Sequence, residues 1–418
     1  MNKLNLTDIM SRIYKLEDKN IKTTMLGIGP MSENLIRASV LLAKKKEFPL
    51  MFIASRNQVD ADEFGGGYVC SWNQDTFAAT IKRITGELGF DGFYFLCRDH
   101  GGPWQRDKER NDSLPVSEAM ELGKRSYIYD LKAGFDLLHI DPTKMPSSDG
   151  VVPMNFVLDK TVELIEFCEL QRKKMDISPV AYEVGTEETN GGTTSIEGFS
   201  FFINTLAARL KEKNLPLPLF IVGNTGTLVR LTENIGTYDT NTAMKLSKIA
   251  REHGTGLKEH NSDYLSDYIL GLHPAIGVTA SNVAPEYGVT ETRALLLLNK
   301  MEKYLYDTKM IDGISNFNSI FTNAAIKSER WRKWMVGEKK QYTKSDIKGD
   351  PETAALIVDI SGHYTFNNEE VKHEIEKMYG NLEKAGIKPG QIVINEIIKS
   401  LERYVNYFNL SGISSKFI

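Results

Sequence analysis

Residues 93–103 read Phe-Tyr-Phe-Leu-Cys-Arg-Asp-His-Gly-Gly-Pro. The apolar run ending at Cys97 has the composition of a strand covered on both faces, as parallel strands are. It then breaks into Arg98, Asp99 and His100, followed by glycines and a proline. With Phe93–Arg98, seven further short β-rich runs appear in order: Thr23–Ile28, Pro49–Ala54, Asp136–Ile140, Pro179–Val184, Pro218–Val222, Gly256–Glu259 and Ala275–Thr279. Between them Asn34–Lys45, Val157–Lys173, Ser195–Lys213 and Asn241–Glu252 carry helical periodicity. Strand and helix alternating through eight repeats predict an α/β protein, a closed (β/α)8 TIM barrel over residues 1–290 that begins with an amphipathic helix. An open dinucleotide-binding sheet is disfavoured, because Gly27-Ile28-Gly29-Pro30 places a proline where that fingerprint does not easily accept one.

Beyond about residue 290 the strand pattern stops. Glu291–Tyr306, Asn316–Val336, Asn368–Ala385 and Gln391–Phe408 read as helices, so residues 291–418 are expected to form a helical extension packed on the barrel or over its mouth. Trp331 and Trp334 are expected on one helix face, as core or interface. The length agrees, since one barrel takes roughly 250 residues and leaves a sizeable appendage.

The chain is 41% hydrophobic and 25% charged, with a net charge of −4 and a pI near 6.1. That balance gives no broad attraction to nucleic acid or to anionic membranes. Cys70, Cys97 and Cys168 are too few and too scattered for a disulfide framework or a CxxC metal site. Neither a signal-peptide pattern nor an apolar run approaching roughly 20 residues occurs, so the expected location is the cytoplasm.

Barrel enzymes act at the C-terminal ends of their strands. The third strand ends in Asp99-His100, an acid beside an imidazole. The fifth ends in Glu183, with Glu187 and Glu188 close behind; carboxylates crowded at one mouth need protons, partners or a cation. The seventh ends in Lys258-Glu259-His260-Asn261-Ser262-Asp263. His100 and His260, with Glu183 between them around the ring, form a candidate open site for a divalent ion, and two imidazoles plus a carboxylate suit Zn2+ better than Mg2+. His139 and His273, beside apolar residues or proline, and His253, at a helix end, are read as less well placed. Gly223-Asn224-Thr225-Gly226 is a glycine-polar loop whose amides suit a phosphate or a sugar hydroxyl. Arg56, Arg98, Lys258 and Arg293 are candidates for anion contacts.

At these residues the chain resembles the tagatose-bisphosphate aldolase Z-subunit family, the GatZ/KbaZ-like proteins. Ser55-Arg56-Asn57-Gln58-Val59 with Phe64-Gly65-Gly66 resembles the family's strand-two loop, and Asp99-His100 with Gly102-Pro103 its Asp-His-Leu-Gly-Pro stretch. Glu183-Val184-Gly185-Thr186-Glu187 and Glu259-His260-Asn261-Ser262-Asp263-Tyr264 resemble its strand-five and strand-seven signatures. His363-Tyr364 and the helix around Ile394–Tyr407 are similar to late family features. Gly101-Gly102-Pro103-Trp104-Gln105 and the segment after strand eight depart from the pattern. The resemblance implies a class II, metal-dependent aldolase cleaving or forming the C3–C4 bond of a ketose phosphate, with dihydroxyacetone phosphate as donor. A ketose or ketose-phosphate 4-epimerase and a non-catalytic stabilising subunit are the other activities it implies. In the leading reading His100, Glu183 and His260 hold a Zn2+ ion, and Asp99, with Glu183, moves protons. Asn57, Gln58, Asn224, Lys258, Asn261 and Asp263 contact the substrate. Expected partners are a sugar phosphate and either a second copy or a second aldolase subunit.

Overall fold

In the computed structural model, residues 4–146, 152–186 and 193–417 are described. Among them, eight parallel strands close a barrel: β1 (Met25–Ile28), β2 (Leu50–Ser55), β3 (Tyr94–Gly101), β4 (Leu137–Ile140), β5 (Ala181–Gly185), β6 (Phe220–Val222), β9 (Gly256–Glu259) and β10 (Val278–Val283). A small antiparallel hairpin, β7 (Val229–Arg230) and β8 (Glu233–Asn234), rises from the loop after β6. The strands are buried almost throughout because helices cover them outside and their own side chains fill the middle, which is why they read as continuous apolar runs.

Seven of the eight expected strands lie where their patterns placed them, including the polar-bordered β4. The eighth is displaced. Ala275 and Ile276 close the helix Asp267–Ile276, which stops at Gly277 with φ +85°, and the strand runs Val278–Val283. A left-handed φ there is accessible to glycine at little cost, so Gly277 sets the helix end and the register of β10.

The expected boundary at residue 290 falls inside the helix Pro285–Asp307, the last of the ring. Helices Phe317–Ser328, Pro351–Ser361, Glu369–Lys384 and Pro389–Tyr407 follow. The helix expected over Asn316–Val336 stops at Ser328, where Glu329 turns left-handed (φ +55°); Arg330–Lys333 is a 3-10 turn. Trp331 and Trp334 are therefore not on one α-helix face: Trp331 is buried and donates to the Ile326 carbonyl, whereas Trp334 is half-buried and donates to the Tyr364 hydroxyl.

Helix Pro389–Tyr407 packs against Glu33–Lys46 and Pro285–Asp307, the helices flanking the seam between β1 and β10. Just beyond it, the Phe408 carbonyl accepts from Thr24 N at 3.1 Å and Gly412 N donates to the Lys46 carbonyl at 2.7 Å. Buried apolar residues from Leu6 to Phe417 form one cluster, shared by barrel and extension. No helix among the described residues is long and apolar enough to cross a membrane.

Candidate active site

In β3, alternation points Cys97 and Asp99 into the barrel and Arg98 outward, where its guanidinium meets Asp130 at 2.5 Å on the helix Val116–Lys132. The same alternation would send His100 outward. Instead the β3–β4 register shifts between Arg98 and Gly101, and His100 adopts φ +45°. A bulge of this kind re-aims one side chain at the cost of local strain. Two consecutive residues, Asp99 and His100, thus face the same mouth.

His139 on β4, Glu183 and Lys258 on β5 and β9, and His260 just past β9 arrive by ordinary alternation. His260 Nδ1 lies 3.2 Å from His100 Nε2 and 3.6 Å from Asp99 Oδ1, and the latter two are 4.0 Å apart. His260 Nε2 contacts Glu183 Oε1 at 2.5 Å, and His100 Nδ1 contacts Asp141 Oδ2 at 2.9 Å. His139 Nδ1 accepts from His100 N at 3.1 Å and is 3.7 Å from Glu183 Oε1. Asn282 on β10 donates to Asp99 Oδ1 at 3.1 Å. Gly27 on β1 makes room for it, since a β-carbon there would come within 2.1 Å of Asn282 Oδ1.

Two buried carboxylates order the rings. Burial alone would push Glu183 up, but the Lys258 ammonium 2.5 Å away, with His139 and His260, holds it well below the usual carboxylate range. Burial likewise opposes the charge on Asp141, which the bond to His100 and the charges of Lys144 and His139 preserve. Each ionised carboxylate accepts an imidazole N–H, fixing the tautomers. His100 Nε2 and His260 Nδ1 then face each other as lone pairs, an arrangement that requires a proton or another cation.

The donor set fits a metal ion. A tetrahedral ion with bonds of about 2.0–2.2 Å has ligand–ligand edges of about 3.3–3.6 Å, close to the 3.2, 3.6 and 4.0 Å triangle of His260, His100 and Asp99. His139 brings a third imidazole nitrogen within 4.8 Å of those of His100 and His260. Glu183 shares such a cluster with Asp99, His139 and His260, but it sits on His260 Nε2, the nitrogen turned away from His100.

The expected substrate contacts are dispersed. Asn57 is tied to the Gln105 carbonyl and to Asp107, and Gln58 bridges Ser55 and the Pro30 carbonyl. Asn224 caps its own turn at Gly226 N. Lys258 is fully buried against Glu183. Asn261 is exposed at the rim. Asp263 is buried, with Oδ1 accepting from Ala284 N and Glu286 N at 3.0 and 2.8 Å. Glu187 and Glu188 lie outside the described residues. Sequence reasoning missed His139, Asp141 and Asn282 as members of the site; the signals available were a histidine in a β4 run and an aspartate directly after it.

Residues 10–206 match the model of the D-tagatose-1,6-bisphosphate aldolase subunit GatZ/KbaZ-like family. Over that span, somewhat less than half of the chain, the sequence resembles the GatZ/KbaZ-like family. No curated protein matches the sequence. Among solved structures, the chain is similar to a probable tagatose 6-phosphate kinase from Sinorhizobium meliloti, with 19% identity and TM-score 0.75 over 92% of this chain and 100% of that one. It also resembles the fructuronate–tagaturonate epimerase of Cohnella laeviribosi (11% identity, TM-score 0.59, 93% and 81% covered). A putative fructose-1,6-bisphosphate aldolase from Coccidioides immitis aligns as well (13% identity, TM-score 0.51, 99% of both chains). At these identities the likeness is one of fold. The family match relates residues 10–206 to aldolase subunits.

Proposed function

We propose that the chain is a metal-dependent enzyme that cleaves and re-forms the C3–C4 bond of a ketose. The observation supporting this reading most directly is the convergence of His100 Nε2, His260 Nδ1 and Asp99 Oδ1 within 4.0 Å of one another at a barrel mouth. His100 and His260 would hold the ion, with His139 within reach to complete its shell, which would leave the Asp99 carboxylate for proton transfer. When bound, a divalent ion, most readily Zn2+ for a nitrogen-rich set, polarises the ketose carbonyl and stabilises the negative charge that develops there. Asp99, steadied by Asn282, takes the C4-hydroxyl proton as the bond breaks and returns it on re-formation. Glu183 acts by orienting His260, with Lys258 balancing its charge. This narrows the role expected from sequence, in which Glu183 was itself a ligand beside His100.

Release of the aldehyde makes the protein an aldolase. Re-addition to the aldehyde's other face makes it a 4-epimerase, a second reading supported by the fold shared with the Cohnella epimerase. To test both, the Zn2+-loaded protein is incubated alone with dihydroxyacetone or its phosphate plus short aldehydes, and separately with D-fructose. New ketose in the first mixture supports the lyase, and D-tagatose in the second supports the epimerase. Activity appearing only after a second aldolase chain is added would replace both readings with a stabilising-subunit role.

A further inference from the structure

Barrels commonly hold a substrate phosphate in the loops after strands seven and eight, on amides at a helix N-terminus. Here the amides at that helix N-terminus are spent. In the turn leading from β10 into the helix Pro285–Asp307, Ala284 N and Glu286 N both donate to Asp263 Oδ1, and Pro285 has no N–H. Tyr287 N donates to the Ala284 carbonyl. Glu286 lies alongside and accepts from Tyr264 N at 2.6 Å and from the Tyr404 hydroxyl at 2.5 Å. In the loop after β9, Ser262 N donates to the Asn282 carbonyl. Asp263 and Glu286 are both buried carboxyls, and their proximity, added to burial, pushes Asp263 up to about 7. The nearby guanidinium of Arg403 is already held by Glu286, Asp267 and the Leu265 carbonyl, so a second anion brought here would meet carboxylates.

The other amide cradle is spent as well. Gly223 N donates to the Lys258 carbonyl, Asn224 N to the Thr194 hydroxyl and Gly226 N to Asn224 Oδ1. The cations named from sequence are engaged too: Arg56 with Asp60 and Glu109, Arg98 with Asp130, Lys258 with Glu183 and Arg293 with Asp359. Of the remaining cations on the rim loops, Arg106 and Arg110 pair with Asp60 and Asp107, and Lys144 lies near Asp141. Lys108 is exposed, and Arg230 donates to the Val229 carbonyl in the β7–β8 hairpin. Residues 147–151 and 187–192 contain no lysine or arginine.

From this we infer that the substrate is an unphosphorylated ketose: the places where the barrel would grip a phosphate are filled by its own carboxylates and carbonyls. This rests on the ketose reading above and departs from the sugar phosphate expected from sequence. The test is calorimetric binding to the Zn2+-loaded protein, with D-fructose and D-tagatose compared against fructose 6-phosphate and fructose 1,6-bisphosphate. The free ketoses are expected to bind at least about tenfold more tightly than their esters, as one like charge at a desolvated site commands. Esters that bind as well as the free sugars, or better, overturn the inference; if Arg230→Ala then removes their advantage, the phosphate site lies at the hairpin instead. Binding is read without turnover, so absence of carbon–carbon chemistry with the preference intact counts against the reaction alone.

Discussion

At the scale of single residues, the site depends on charges that are buried and mutually satisfied. Glu183 and Lys258 are both fully buried, 2.5 Å apart. Breaking such a pair from one side leaves an uncompensated charge and costs about 3–5 kcal/mol, whereas removing both charges costs far less. Lys258→Met is therefore expected to lower stability by that amount in urea unfolding, and Lys258→Met with Glu183→Gln to recover most of it; equal losses in the two proteins would show that the pair is not coupled. For the metal, elemental analysis is expected to find about one divalent ion per chain, lost in His100→Ala and in His260→Ala. Full occupancy in both variants would remove the site assignment. Asp99, His100 and His260 were legible in sequence because each sits at the tip of an expected strand. His139 was not, because one histidine within Leu-Leu-His-Ile looks like core until barrel closure shows which strand ends share a mouth. Asn282 escaped for a different reason: with the last strand placed at Ala275–Thr279, position 282 read as loop, whereas in Val278–Val283 it points inward.

Among the elements, the strands were the easiest to foresee, because a surface buried on both sides leaves an unbroken apolar signature. The displaced β10 shows the limit of that signal, since apolar residues at a helix end look the same until Gly277 is recognised as the stop. Joining these elements is the Asp263–Glu286 pair, which ties the loop after β9 to the helix Pro285–Asp307 and, through Tyr404, to the helix Pro389–Tyr407. An unfolded aspartate loses its proton near 3.8, whereas burial and Glu286 delay that loss to about 7 in the fold. The native state thus binds the extra proton across that window, and the stability it confers is complete below the lower value and lost as pH rises through the upper one. His273, raised from 6.5 by Glu259 against the effect of burial, acts in the same sense. His363, driven down to about 3 by burial and then by Lys333 and Arg330, acts oppositely, but its gain is complete by about 6.5. Between pH 6.5 and 8 the urea midpoint is expected to fall, and Asp263→Asn to flatten that fall; an unchanged slope in the variant would place the titrating group elsewhere.

For the whole molecule, the sequence suggested a barrel with an appendage, and the structure shows one shared core. Helical periodicity gave most of the extension's elements but carried no information on where they pack, because an apolar stripe fits any complementary surface. A single core implies a single cooperative transition. Tryptophan fluorescence, reporting Trp72 and Trp104 in the barrel and Trp331 and Trp334 in the extension, is expected to change together with far-ultraviolet circular dichroism. Two separated transitions would show that the extension unfolds by itself. The pairing of β1 with β10 also imposes an order on synthesis. The first strand emerges from the ribosome long before its partner, Val278–Val283, is made. A nascent chain can pair its middle strands early but cannot seal the cylinder until β10 has emerged. Until then β1 keeps one unpaired edge, the kind of surface on which two chains can join.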